Sequence, residues 1–267
     1  MVTTTPTRPV GDLLRDWRRR RRLSQLELAL DADVSTRHLS FVETGRSQPS
    51  RGMLLRLAER LDVPLRERND LLIAAGYAPV YSQRSIDAPE MGPARQALNR
   101  VLDGHEPYPA LVVDRFWNLV MANNAAMLFL EGVPDELVRP PVNVHRLALH
   151  PDGLASRVVN LPEVRAHLVA RMARQVALTG DPELAALHEE TRAYGPDVDE
   201  EAAHQAAHDI ALPTILRYGG EVLSFFSTVT TFGAAADVTL AELAVEAFFP
   251  ADDETAAVLR RRAETGE

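Results

Sequence analysis

The chain has 267 residues, of which 29 are basic and 38 acidic, and its formal net charge is −9. It contains no cysteine and no lysine, so every basic residue is an arginine. These absences exclude thiol redox sensors, disulfides and Cys-ligated zinc sites. They also exclude Walker-A phosphate loops, lysine Schiff bases and the Ser–Lys dyad of self-cleaving repressors.

Basic and acidic residues are unevenly distributed along the chain. Residues 1–80 hold 14 arginines against 10 acidic residues, whereas residues 81–267 hold 15 against 28. A basic module attached to an acidic body indicates one part that meets a polyanion and another that does not. No apolar run approaches the ~20 residues of a membrane span, so the sequence predicts a cytoplasmic protein without membrane contact.

Five short amphipathic helices are predicted in the basic part. Ser24, Ser35 and Ser50 each precede an apolar repeat, which is typical of helix N-caps. A fifth helix is predicted from Leu65 to Ala75. The predicted inward-facing residues of the first four helices are Val10, Leu13, Leu14 and Trp17, then Leu26, Ala29 and Leu30, then Leu39 and Val42, then Leu54, Leu57, Ala58 and Leu61. Two short helices joined by a tight turn within a basic module are typical of helix-turn-helix DNA recognition.

Several short motifs recur at fixed positions in this module. They are LSQLELA at 23–29, Val34-Ser35, Leu39-Ser40, VETGR at 42–46 and Pro49-Ser50. This pattern resembles the Xre-type, lambda-repressor-like helix-turn-helix domains, over about residues 10–77. The resemblance implies an all-α five-helix domain that binds double-stranded DNA, with the helix capped by Ser35 in the major groove.

The expected DNA contacts follow from that placement. Thr36 and Arg37 are the expected base readers, because Arg can hold guanine O6 and N7 with two hydrogen bonds. Phe41 either packs on thymine methyl groups or covers the core of the domain. The resemblance implies that Gln25 binds a phosphate and braces the recognition helix. The full expected set is Gln25, Ser35, Thr36, Arg37, Ser40, Phe41, Arg46, Ser47 and Arg51, the last three on the DNA backbone.

An unbroken run of five arginines, residues 18–22, ends the first predicted helix. A helix spreads consecutive residues around its circumference, so only two or three of the five can face DNA.

The acidic part alternates strand and helix patterns. Strands are predicted at 111–114 and 117–122, then a helix after Asn123-Asn124, followed by helices Glu163–Leu178 and Pro182–Arg192. Gly219-Gly220 predicts a hairpin between strands Ile210–Tyr218 and Glu221–Phe232. A fifth strand at 241–249, where Glu242 and Glu246 would also suit a helix face, and a closing helix to Arg262 complete the order. This order is that of a PAS-like α+β domain with an antiparallel sheet.

A sheet of this kind encloses an apolar pocket under its helices. The residues expected around the pocket are Trp117, Leu119, Met121, Met127, Phe129, Leu216, Phe225 and Val229. For any one of these residues, a place in a filled core is the competing interpretation. The motifs YPALVVD at 108–114, Trp117-Asn118 with Ala122-Asn123, and FFPAD at 248–252 resemble the MmyB-like ligand-binding domain. That resemblance implies a regulator whose PAS-like domain holds a small apolar, fatty-acid-like ligand.

Histidine is the remaining candidate for chemistry. His204 and His208 are spaced i, i+4 on a predicted helix, and His145 and His150 are predicted in a loop. Such a pair can chelate zinc, but two ligands do not make a site. The sequence holds no nucleophile elbow or nucleotide loop, so neither an enzyme, a metal nor a cofactor is predicted.

The leading hypothesis is a transcription regulator that binds its operator as a homodimer and responds to a small apolar ligand. The alternatives are a regulator whose C-terminal domain is a ligand-free dimerisation or protein-interaction module, and a metal-dependent enzyme. The expected organisation is a disordered tail at 1–9, a DNA-binding domain at 10–78, a linker with one short helix at 79–106 and the PAS-like domain at 107–267.

Overall fold

The computed structural model describes residues 8–196, 212–233 and 235–265, which form two compact units. The first unit extends to Arg84 and also includes the short segment that ends at Ala241. The second unit begins at Ser85 and includes the rest of the chain. No helix of the described residues is long and apolar enough to cross a membrane.

Helices follow one another closely in the first unit. They are α1 (Val10–Arg20), α2 (Gln25–Asp31), α3 (Thr36–Glu43), α4 (Arg51–Arg60) and α5 (Leu65–Ala74). The three predicted serine caps are confirmed, because the hydroxyls of Ser24, Ser35 and Ser50 accept hydrogen bonds from backbone N–H groups three residues on, at 3.1–3.3 Å. Each cap satisfies a donor that the helix itself leaves unpaired. The five-helix prediction is confirmed.

The core of the first unit is filled by fully buried leucines from every helix. Leu14, Leu39 and Leu57 are each 0% exposed, as predicted. In α2, Ala29 is buried as predicted, but the prediction is wrong at Leu26 and Leu30, which are 57% and 71% exposed, and Leu28 is buried instead. Leucines at 26, 28 and 30 surround this two-turn helix, so their spacing does not select one face.

A five-stranded antiparallel sheet forms the second unit. Its strands are β1 (Ala110–Val113), β2 (Leu119–Ala122), β3 (Thr214–Tyr218), β4 (Glu221–Thr231) and β5 (Ala244–Pro250), in the order β2-β1-β5-β4-β3. The predicted α+β architecture with an antiparallel sheet is confirmed. Gly219 and Gly220 join β3 to β4 at φ values of +55° and +85°. Both values are positive, which a two-residue type I′ turn requires and glycine tolerates.

The helices of the second unit precede, connect and follow these strands. They are α6 (Gly92–Asp103), a 3₁₀ helix at Asn124–Phe129, α7 (Asp135–Val138), α8 (Val144–Leu149), α9 (Leu161–Thr179), α10 (Pro182–Arg192) and α12 (Asp253–Thr265). A further helix, α11 (Val238–Glu242), connects β4 to β5.

Three predicted elements differ in detail from the structure. His145 lies buried in α8 rather than in a loop, because Asn143 caps a helix there by accepting the N–H of Arg146. The strand predicted from Ile210 begins at Thr214, and Ile210 is outside the described residues. The strand predicted from 241 begins at Ala244, because α11 occupies the preceding residues.

Candidate DNA-binding surface and ligand cavity

The helix α3 presents the predicted base-reading residues on an accessible face. Leu39 and Val42 are buried, whereas Arg37 is exposed and Thr36 and Ser40 are half-buried. Ser35, at the exposed N-terminus of α3, uses its hydroxyl to cap the N–H of His38. A helix with this division between faces can place its outer residues against base edges.

Phe41 lies on the same accessible face and is only half-buried. The guanidinium of Arg37 lies 5.4 Å from the centre of its ring. A cation over an aromatic ring is held in place by the ring's quadrupole. The pair therefore orients Arg37 on the surface of α3.

A buried carboxylate at the end of α3 connects it to two other helices. Arg18 of α1 donates to both oxygens of Glu43, at 2.7 and 2.8 Å, and Gln25 of α2 donates to Oε2 at 2.8 Å. Burial raises the pKa of Glu43, but the hydrogen bonds from Arg18 and Gln25 outweigh it and hold the pKa below its ordinary value. The hydrogen bond to Glu43 therefore connects Gln25 to the recognition helix.

Close backbone packing supports the same corner of the domain. A Cβ atom added to Gly11 of α1 would lie 2.4 Å from the carbonyl oxygen of Val42. No side chain fits in that space, so α1 and α3 approach to a distance that only glycine allows at this position.

The loop after α3 and the first residue of α4 carry the residues predicted to contact the DNA backbone. Arg46 and Arg51 are exposed, and Ser47 is half-buried. The N–H groups of Arg46 and Ser47 donate to the carbonyl oxygen of Phe41, at 2.8 and 3.2 Å. These bonds hold the loop next to the recognition helix.

The arginine run at 18–22 is divided between internal and exposed roles. Arg18 binds Glu43, and Arg21 donates to the carbonyl oxygens of Leu61 and Asp62 at 2.9 and 3.0 Å. Arg19 and Arg22 are exposed. The sequence showed the charge of this run but carried no signal for the pairing of Arg18 with Glu43, which are 25 residues apart.

The second unit contains a cavity of about 490 Å³. It lies between the sheet and the helices α8 and α9, and its wall is mostly aliphatic and aromatic. Of the predicted pocket residues, the structure places four in this wall: Leu119, Met127, Phe129 and Leu216.

The other four predicted pocket residues do not line the cavity. Phe225 is 1% exposed and belongs to the packed core of the sheet, and Trp117 is 7% exposed within a smaller core cluster. Met121 lies half-buried on β2, and Val229 on β4 is 42% exposed. Apolar character alone therefore did not separate cavity wall from filled core.

Polar residues that the sequence did not place at the pocket also line the cavity. Arg171 of α9 donates to Glu246 of β5 at 3.3 Å, and the guanidinium lies 4.2 Å from the centre of the Trp117 ring. His145 of α8 packs edge-on against Trp117, at 4.7 Å between ring centres. Burial, followed by the charges of Arg171 and His167, lowers the pKa of His145 to about 3.

Metal binding by the predicted histidine pair is outside what the structure describes, because His204 and His208 fall between residues 197 and 211. His150 of the predicted loop ends α8, where its ring packs edge-on against Tyr194 at 4.9 Å. Within the described ranges, no group of three or more His, Asp or Glu side chains is placed to hold a metal ion.

The two units together define a class of protein: a DNA-binding transcription regulator that carries a ligand-binding domain. Residues 14–68 match the helix-turn-helix family, and residues 94–261 match the family described as the MmyB-like transcription regulator ligand binding domain. The chain belongs to this MmyB-like family, whose match covers more than half of its length.

Two further comparisons accompany the family matches. A search of curated proteins found no match to the chain. Among solved structures, the PAS domain of BvgS from Bordetella pertussis is similar at 16% sequence identity, over 66% of this chain and 98% of that one, with a TM-score of 0.28.

Proposed function

We propose that the chain is a cytoplasmic, sequence-specific transcription regulator that binds operator DNA as a homodimer and holds a small, fatty-acid-like apolar molecule in its C-terminal domain. Regulation rather than catalysis is its function. The proposed organisation is the DNA-binding domain at 10–78, a linker at 79–106 and the ligand domain at 107–267. The single observation that carries the proposal is an apolar cavity of about 490 Å³ in a chain that also holds a helix-turn-helix domain.

The DNA-binding part of the proposal rests on the accessible face of α3. Thr36 and Arg37 lie at the N-terminal end of that helix, which is the end that reaches base edges in helix-turn-helix complexes. Arg46, Ser47 and Arg51 flank the helix and suit phosphate contacts. Half-sites about 34 Å apart require two such domains, which is the reason for proposing a homodimer.

The ligand part rests on the size and chemistry of the cavity. Ligand pockets commonly measure about 300–1,000 Å³ and carry a few polar groups in an apolar wall. The observed cavity fits both descriptions. A protein-interaction module with a filled core would not need this space.

A connection within the first unit offers a route by which the ligand alters DNA binding. The segment between β4 and β5 returns to the chain after α5, where Arg84 donates to Asp237 at 3.1 Å and Val238 donates to the carbonyl of Ser82 at 2.8 Å. Both strands supply cavity residues, including Ser227 and Glu246. A ligand that favours one arrangement of the strands therefore biases this segment.

Native mass spectrometry of the purified full chain tests the ligand claim. We expect a lipophilic adduct that a hydrophobic resin removes, and a change in operator affinity after its removal. A bare mass, together with no uptake of decanoic acid or decan-1-ol, would favour the ligand-free interaction module. Unchanged operator affinity would leave a DNA-binding protein without a sensor.

Paired arginine variants test the DNA-binding claim. Arg37→Ala should cost about 1–3 kcal/mol of operator affinity and relax specificity at one base pair. Arg51→Ala should weaken binding to all DNA sequences about equally and reduce the salt dependence. Selection from random DNA followed by titration measures both effects. Equal, sequence-independent losses from both variants would place Arg37 on the DNA backbone instead.

A further inference from the structure

The wall of the ligand cavity carries a charged pair among its apolar residues. Arg171 donates to Oε1 of Glu246 at 3.3 Å, and the hydroxyl of Ser227 donates to the same oxygen at 3.3 Å. Glu246 is only 8% exposed, although carboxylates are rarely buried without a function or a partner. All three side chains line the cavity. Arg171, Ser227 and Glu246 therefore form a polar site in the cavity wall.

The two charges of this pair cancel each other. Arg171 contributes one positive charge and Glu246 one negative charge, and the two are in contact. His145, which lines the same cavity, is uncharged at neutral pH because its pKa is about 3. Among the described residues of the wall, a further titratable group is His167, one turn before Arg171 on α9. The positive charge of Arg171 is thus already paired with Glu246 before any ligand binds.

An ionised ligand would disturb this balance. A carboxylate placed beside Arg171 would share the guanidinium with Glu246, and two carboxylates close together in a low-dielectric site repel each other. A hydroxyl or amide adds no charge and can both donate and accept hydrogen bonds. The Nδ1 atom of His145 is buried and has no hydrogen-bond partner in the described structure, so this region also has unused capacity for a polar contact.

We infer that the cavity selects long-chain molecules whose polar end is uncharged, such as fatty alcohols or amides, and that Glu246 is the residue that rejects ionised carboxylates. This inference rests on the proposed ligand-binding function. It refines that function, because it keeps the apolar chain of a fatty acid and replaces the ionised head group.

The test compares two ligands of equal chain length, decan-1-ol and decanoic acid. Calorimetric titration of the delipidated full chain at pH 8 keeps the acid ionised in solution and lies above the ordinary titration range of imidazole. We expect the alcohol to bind about tenfold more tightly or better, because the acid brings an uncompensated charge. Equal or tighter binding of the acid overturns the inference. Binding of neither ligand contradicts the proposed function itself.

Variants of the charged pair should move this preference in opposite directions. Glu246→Gln leaves Arg171 available to an anion, so the preference should shift toward decanoic acid. Arg171→Gln leaves Glu246 as a lone negative charge, so the preference for the alcohol should increase. Ser227→Ala is the matched control, because it changes the same site without changing its charge.

The direction of these shifts decides the role of Glu246. Thermal melts confirm that each variant folds, and the wild-type comparison stands if one of them does not. If the ratio of the affinities for decan-1-ol and decanoic acid stays the same in Glu246→Gln and Arg171→Gln, Glu246 has no role in ligand selection.

Discussion

The interiors of the two units differ, because the first is a filled core and the second contains a cavity. The first unit fills its core with leucines that are inaccessible to solvent, such as Leu14 and Leu57. The second unit packs Phe225 and Leu223 just as tightly but leaves about 490 Å³ empty beside them. A filled core holds a recognition surface in one shape, whereas a core with a cavity leaves apolar surface that a ligand can cover.

One buried polar group in each unit illustrates the contrast. In the first unit, Glu43 accepts hydrogen bonds from both Arg18 and Gln25. In the second, His145 Nδ1 is buried without a hydrogen-bond partner among the described residues. An unmet buried polar atom costs free energy, so it is tolerated most readily where something else is to be bound. Three predictions test this contrast.

The largest expected effect comes from Glu43→Ala. Glu43 and Arg18 have side chains that are only 1% and 12% exposed, so the variant leaves a largely buried guanidinium without its partner. Breaking such a pair costs about 3–5 kcal/mol. Hydrogen exchange of the full chain should show the loss of protection concentrated in α1, α2 and α3.

Glu59→Ala is the control for this prediction, because it removes the same charge from an exposed position on α4. It should change stability by less than about 0.5 kcal/mol. The lowered pKa of Glu43 adds a pH signature: the stabilisation is present above the unfolded pKa of about 4.3 and is lost as the pH falls through the folded value. Similar losses in the two variants would mean that the buried pair does not hold the corner together.

A pair of leucine truncations compares the two interiors directly. Leu57→Ala opens a new cavity in the filled core and should cost about 3 kcal/mol. Leu147, which is 5% exposed, lines the existing cavity, so its truncation should cost about half as much because fewer packing contacts are lost. Urea titration with exchange measured in each unit would separate the two values. Equal costs would indicate that the second interior is effectively filled.

Local signals explain what could be predicted about this molecule from its sequence. Ser24 and Glu27 form a capping box within four residues, and Gly219-Gly220 makes a hairpin within two. The prediction of which leucines of α2 face inward was wrong, because a two-turn helix with leucines at 26, 28 and 30 carries no clear period.

The charged pair in the cavity wall shows why other features could not be predicted. Arg171 and Glu246 lie 75 residues apart, on a helix and a strand that meet only in the folded domain. Phe225 and Leu216 are equally apolar in the sequence, yet only Leu216 faces the cavity, because that outcome depends on the packing of the helices over the sheet. Sequence spacing identifies a buried face but does not show where that face meets empty space.

The smallest expected effect is a pH dependence confined to the second unit. Burial, Arg171 and His167 lower the pKa of His145 to about 3, whereas a histidine in the unfolded chain titrates near 6.5. Between these values the unfolded state binds the extra proton, so stability must fall as the pH falls, by up to about 1.4 kcal/mol per pH unit. We therefore expect the second unit to lose about 1 kcal/mol between pH 7 and pH 5.5 in urea titrations of the full chain. His145→Gln should remove this loss, whereas His150→Gln, at the end of the same helix, should retain it. A His145→Gln variant with the wild-type pH dependence would show that folding does not lower the pKa of His145, and the charge balance of the cavity would then have to include its protonation.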